Sequence, residues 1–160
     1  CMVDVARYFM SFLKSESCGK CTSCREGTGL MYDILDRITA GRGSKEDLER
    51  LEELAWTTGN TSMCALGKTA ANPVLSTLKY FRQEYLAHIL DKKCPAGVCK
   101  ALIRYTIDPE KCTACGRCIR LCPQQAIRGE KDKPAVIDSD RCVRCGICRE
   151  ACRFEAVLVE

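Results

Sequence analysis

Fifteen of the 160 residues are cysteine, and most of them stand three apart. Cys18, Cys21 and Cys24 form one triplet, Cys112, Cys115 and Cys118 a second, and Cys142, Cys145 and Cys148 a third. A secreted disulfide scaffold can be as rich in cysteine. An odd count and thiols this close in sequence suit metal centres better than long-range cross-links. Structural zinc usually takes two Cys-x-x-Cys knuckles, or one knuckle and two histidines. A triplet repeated three times fits instead three corners of an iron–sulfur cube, whose chemistry is one-electron transfer. Thiols must stay reduced to hold iron, so a cytoplasmic setting is expected.

Two of the triplets are completed locally. Cys122 and Cys152 each follow a triplet after three residues, giving the spacing C-x2-C-x2-C-x3-C twice. This duplicated run resembles the bacterial two-cluster ferredoxins, in which the fourth cysteine ligates the other cluster. The spacing therefore assigns Cys112, Cys115, Cys118 and Cys152 to one [4Fe–4S] cluster, and Cys142, Cys145, Cys148 and Cys122 to a second. Gly116 and Gly146 let backbone N–H groups approach the sulfurs. Arg153 stands where the first copy has Pro123. Arg117, Arg120, Arg141, Arg144, Arg149 and Arg153 read either as a solvated face or as an attractor for an acidic redox partner.

The first triplet has no fourth cysteine nearby. The next is Cys64, in Ser62-Met63-Cys64-Ala65-Leu66-Gly67. Cys18, Cys21, Cys24 and Cys64 can hold a third [4Fe–4S] cluster if the fold supplies the distant ligand.

The elements around these residues change character along the chain. Residues 1–93 carry helical periodicity: Val3, Ala6, Phe9, Met10 and Leu13; then Leu30, Ile34, Leu35 and Ile38 on a helix from Gly29 to Thr39. Ser44 and Asp47 are placed like a capping box for a helix ending near Trp56, with a loop at Gly59-Asn60-Thr61-Ser62. Asn72-Pro73 reads as N-cap and N1 of a last long helix through Leu75, Leu78, Phe81, Leu86 and Ile89. Residues 94–103 form a connector. Short β-like pieces, Tyr105–Ile107, Ala135–Ile137 and Val157–Val159, belong to residues 104–160. The fold class predicted is α+β: a small α-helical bundle binding a [4Fe–4S] cluster (1–93), a connector (94–103) and a two-cluster ferredoxin domain built on an internal repeat (104–160).

The segment Ser17-Cys18-Gly19-Lys20-Cys21-Thr22-Ser23-Cys24-Arg25-Glu26-Gly27, with Cys64-Ala65-Leu66-Gly67, resembles the C-terminal helical domain of the NADH-binding flavoprotein subunit of respiratory complex I. With a ferredoxin domain appended, the whole chain resembles the β (flavoprotein) subunit of soluble NAD(P)-linked [FeFe]-hydrogenases, the electron-bifurcating ones included, and of related formate dehydrogenases. The resemblance implies a subunit of an oxidoreductase that carries electrons between flavin, partner-subunit clusters and ferredoxin. It implies FMN and NAD(P) sites upstream; these 160 residues hold no glycine-rich nucleotide loop. It also implies partners: a hydrogenase catalytic subunit, a small [2Fe–2S] subunit and external ferredoxin. The chain opens at Cys1 directly on a helical pattern, which reads as a segment of a longer polypeptide.

Twelve cluster ligands taken from fifteen cysteines leave Cys1, Cys94 and Cys99, and the one histidine is His88. Three cysteines and a histidine are a common structural zinc set, and related hydrogenase subunits are thought to carry a metal at this junction. Cys94 and Cys99 as free thiols, or as ligands of a further cluster, are the alternatives.

The formal charge is +4. Each cluster with four thiolates adds about −2, roughly −6 for three, so the basic excess reads as compensation rather than a nucleic-acid footprint. Aromatic residues make up only 6% and sit mostly in helical patterns, which argues against a nucleic-acid groove. No run of 18 apolar residues exists to span a membrane. A ferredoxin fused to a helical docking module, without flavin, is the remaining rival.

Overall fold

Val3, Ala6 and Met10 recur every three or four residues and are fully buried, which fixes the inner face of α1 (Met2–Glu16). The computed structural model describes residues 1–130 and 133–160. These form two compact units, Cys1–Leu102 and Ile103–Glu160.

In the first unit α1 packs against α2 (Thr22–Thr39) and α5 (Asn72–Leu86), and α3 (Glu46–Thr61) packs against α2. Met31, Ile34, Leu35 and Ile38 of α2 meet Leu48, Leu51 and Ala55 of α3 and Val74, Leu78 and Tyr85 of α5 in one core. Each large apolar side chain fully buried there contributes about 1.5–3 kcal/mol. A short α4 (Ala65–Thr69) follows Cys64. Residues 94–102 pack within this unit and include a 3₁₀ turn, Lys100–Leu102.

Several helix limits differ from the sequence-based expectation. α2 starts at Thr22, inside the first triplet, and contains the whole Gly29–Thr39 stretch. Its buried face carries Met31 where Leu30 was expected; Leu30 is exposed, as are Phe9 of α1 and Leu75 and Phe81 of α5. α3 runs on to Thr61, through the expected loop. Asn60 Nδ2 and Thr61 Oγ1 donate back to the carbonyls of Trp56 and Thr57 one turn earlier. At its start only one arm of the capping box forms: the Ser44 N–H donates to Asp47 Oδ2 at 2.9 Å. Asn72 and Pro73 lie inside α5, whose N-cap is Ala71.

The second unit pairs β1 (Tyr105–Ile107) with β4 (Val157–Val159), and β2 (Ile127–Arg128) with β3 (Val136–Ile137), both antiparallel. The sequence patterns did not set β2 apart as a strand. Single-turn helices α6 (Arg117–Leu121) and α7 (Ile147–Ala151) each carry the third cysteine of a triplet, Cys118 and Cys148. The repeat is written into the backbone. Ala114 and Arg144 share positive φ (53° and 56°), Gly116 and Gly146 do so (70° and 84°), and Gln125 and Glu155 do so at 49° each. Non-glycine residues in this region cost roughly 1–2 kcal/mol apiece, so the loops are held against their own preference.

Candidate iron–sulfur and metal centres

In the bundle, α2 begins at the triplet and carries Cys24 on its first turn, while Cys64 caps α4. The two are brought together where α2 and α3 cross. Gly27 makes this possible, because a Cβ there would run into the Thr58 side chain. The Thr58 hydroxyl donates to the Ser23 carbonyl at 3.3 Å, and Ser23 and Ser62 hydroxyls lie 3.4 Å apart. Cys18, Cys21, Cys24 and Cys64 line one cavity with Ser17 and Leu66. Cys24 is buried, whereas Cys18 and Cys64 are exposed.

In the second unit one cavity is lined by Cys112, Cys115, Cys118 and Cys152, with Ile107, Phe154 and Val157. Another is lined by Cys142, Cys145, Cys148 and Cys122, with Tyr105, Pro123 and Ile127. The fourth cysteine of each run thus faces the triplet of the other. Burial, and then the neighbouring Cys142, push the Cys148 thiol up to about 11. Burial likewise raises Cys118. Burial thus holds the protons of Cys118 and Cys148 until a cation takes their place. The six arginines beside these cysteines have no carboxylate ion-pair partner among the described residues, where this unit's ion pairs are Lys111–Asp108 and Lys133–Glu130.

Cys1, His88, Cys94 and Cys99 form a fourth group, with their ligand atoms all within 4.8 Å of one another. His88 is fully buried. It lies on a π turn, Ala87–Asp91, that continues α5; such turns often mark functional sites. Its Nδ1 is 2.7 Å from the Glu84 carbonyl, and its Nε2 is 3.3 Å from both Cys1 Sγ and Cys99 Sγ. Burial, and then the adjacent Cys94, raise Cys99 to about 12. Burial opposes the thiolate at Cys94 too, but N–H groups of Cys99 and Val98, each 3.4 Å from its sulfur, hold it below the ordinary thiol range. Three sulfurs and one imidazole nitrogen converging in a buried pocket suit a tetrahedral zinc ion.

Residues 4–88 match the NADH-ubiquinone oxidoreductase-F iron-sulfur binding region, and residues 105–159 match the 4Fe-4S dicluster domain. The chain belongs to the family of oxidoreductase-F iron–sulfur binding regions. It carries 4Fe–4S binding domains and is an iron–sulfur electron-transfer segment of the F type. This F-type segment is 54% identical over 134 residues to the NADP-reducing hydrogenase subunit HndC of Solidesulfovibrio fructosivorans, which covers 84% of the chain and 27% of that relative. It is 48% identical over 95 residues to an NADH-quinone oxidoreductase subunit of Mycobacterium tuberculosis, covering 59% of the chain and 21% of the relative. A crystal structure of NAD+-reducing [NiFe]-hydrogenase in the H2-reduced state matches with a TM-score of 0.53 and 38% identity, over 55% of this chain and 15% of that one. The segment therefore spans about a quarter of the length of these curated relatives. No helix among the described residues is long and apolar enough to cross a membrane.

Two contributors to the F-type sites carried no role in the sequence-based expectation. Glu84 orients His88 through its carbonyl, and its carboxylate accepts the Met2 N–H at 2.8 Å. Arg25 reaches back to the Gly19 carbonyl at 2.6 Å and pins the triplet loop. Arg25 stands in the first triplet's motif, six residues after Gly19; nothing in the sequence marks Glu84 beyond its place one turn before His88.

Proposed function

We propose that this chain is the iron–sulfur relay segment of an NAD(P)-linked hydrogenase-type oxidoreductase, holding three [4Fe–4S] clusters and one zinc ion. The observation that carries the reading is the bundle cavity, where Cys64 joins a triplet some forty residues earlier in the chain. Cys18, Cys21, Cys24 and Cys64 hold the bundle cluster. Cys112, Cys115, Cys118 and Cys152 hold one ferredoxin-type cluster, and Cys142, Cys145, Cys148 and Cys122 the other. When bound, the clusters supply one-electron transfer. The chain's own part is to bury the sulfurs, direct N–H and O–H groups at them and keep water from the inner faces.

Cys1, His88, Cys94 and Cys99 hold zinc in a structural role. The site joins Cys1, the N-cap of α1, to Cys99 in the segment after α5, 98 positions away. Closing so long a loop with metal removes conformational freedom from the unfolded chain.

The hydrogenase reading is favoured over a complex I component by the reach of the HndC similarity. It covers 134 residues, whereas the first unit has 102, so it extends into the second unit. Similarities to two NADH-quinone oxidoreductase subunits run over 95 and 114 residues at 48% and 43% identity, shorter and lower than that to HndC. On this reading FMN and NAD(P) are bound by the part of the protein that the relatives have beyond this segment. A hydrogenase catalytic subunit, a small [2Fe–2S] subunit and external ferredoxin are the partners, and the parent complex bifurcates electrons. The six arginines, which have no ion-pair partner among the described residues, support exchange with an acidic carrier protein.

Iron, acid-labile sulfide and zinc per chain, measured on anaerobically purified protein, test the assignment. About twelve iron, twelve sulfide and one zinc are expected. About eight iron would remove the bundle cluster and with it the F-type relay. Hydrogen-dependent reduction of NAD+ or NADP+ by the complex containing this chain tests the hydrogenase assignment.

A further inference from the structure

Ser17 ends α1 and turns the chain into the triplet loop, with φ −65° and ψ 125°. Its Oγ lies 3.5 Å from Cys24 Sγ. The same oxygen receives the Gly19 N–H at 3.4 Å, which fixes the hydroxyl on the side of the cavity that Cys24 lines. Cys24 is 5% exposed, while Cys18 and Cys64 are exposed and can draw hydrogen bonds from water. Among the described residues no other side chain donates to Cys24 Sγ; the nearby Thr28 hydroxyl is engaged by the Cys24 carbonyl at 2.8 Å.

We propose that Ser17 is a positioning residue that raises the reduction potential of the bundle cluster by donating its hydroxyl proton to Cys24 Sγ. The inference rests on the assignment of Cys18, Cys21, Cys24 and Cys64 to one cluster. As a cluster ligand Cys24 is a thiolate and has no proton to give, so the direction of the bond is set: Ser17 donates. A donor aimed at a ligand sulfur stabilises the reduced cluster, which carries one more negative charge, more than the oxidised one. The effect is largest where water cannot compete, and Cys24 is the buried member of the set. On reduction one electron enters the cluster, no bond to Ser17 is made or broken, and its proton stays on oxygen.

The test is a dithionite redox titration of the full chain followed by electron paramagnetic resonance, in wild type, Ser17→Ala and Ser17→Thr. Iron counting comes first. A wild-type chain with about eight iron rather than twelve overturns the ligand assignment itself, separately from the role of Ser17. With twelve iron present, the expected result is a midpoint shifted to more negative potential in Ser17→Ala. The other two clusters stay put, and Ser17→Thr, which keeps the hydroxyl, titrates with wild type. An unchanged midpoint in Ser17→Ala, or equal shifts in the Ala and Thr variants, overturns the proposal. Should Ser17→Ala lose the cluster, electron–nuclear double resonance of the reduced wild type decides. A hydroxyl proton that exchanges in D2O and couples to the bundle cluster upholds the proposal, and its absence overturns it.

Discussion

The Nδ1 of His88 lies 2.7 Å from the backbone carbonyl of Glu84, four residues earlier in the chain. A carbonyl can only accept, so Nδ1 is the donor there, and Nε2 is the nitrogen directed at Cys1 and Cys99. This is the arrangement that prepares a histidine as a metal ligand. It is produced by backbone geometry: the π turn Ala87–Asp91 rotates His88 inward after the kink at Phe81 (φ −129°).

Replacing His88 by Ala should therefore remove the zinc and leave the iron. The site then keeps three of its four ligands, and a structural zinc ion needs all four. Elemental analysis should give less than about a tenth of one zinc with iron still near twelve per chain. The variant should also melt lower, since zinc bound only by the folded state stabilises it. Loss of iron together with zinc would show that the two kinds of site are not independent.

Cys64→Ser should reduce iron from about twelve to about eight per chain and leave the spectra of the other two clusters unchanged. Cys64 belongs to the first unit, which has its own core and shares no ligand with the second. A loss of iron beyond one cluster would mean that the bundle ligand set is wider than these four.

The exchanged fourth ligands of the second unit can be separated by double substitution. Cys112 and Cys152 line one cavity; Cys142 and Cys152 line different ones. Cys112→Ser with Cys152→Ser should cost one cluster, leaving about eight iron. Cys142→Ser with Cys152→Ser should cost two, leaving about four. The opposite order would mean that each run of four ligates its own cluster.

The repeat from 112 to 158 was legible because cluster ligation imposes spacing, and spacing is a property of sequence. The grouping of the bundle cysteines in one cavity was legible for half the same reason: the triplet is local, but Cys64 was paired with it by elimination and by motif, with nothing in periodicity to place it there. Helix limits were read less well. Leu30 and Met31 are both apolar neighbours, and only the direction of packing decides that Met31 is buried. The loop expected at Gly59–Ser62 is mostly helix, in which Asn60 and Thr61, loop formers by composition, turn their side chains back onto the carbonyls one turn earlier. The π turn that carries His88 has no sequence pattern of its own. The positive-φ residues Ala114, Arg144, Gln125 and Glu155 were equally hidden, since no glycine announces them.

Tyr85 provides a prediction on stability. It is fully buried in the bundle core, its hydroxyl 2.7 Å from Thr77 Oγ1, and burial pushes its pKa up to about 12. In the unfolded chain a tyrosine ionises near 10. Below pH 10 both states keep the proton and stability is unaffected. Between about 10 and 12 the unfolded state releases the proton while the folded state holds it, so stability falls as pH rises. The full loss, about 2–3 kcal/mol, is reached as pH passes the folded value. Tyr85→Phe lacks the ionisable group. It should be about 1 kcal/mol less stable at pH 8, where the hydrogen bond to Thr77 is lost, yet decline less steeply between pH 10 and 11. Anaerobic urea unfolding of both chains at pH 8, 10 and 11 measures this directly, because every other titrating group is common to the two. Parallel curves across that range would show that the Tyr85 hydroxyl reaches water in the folded state.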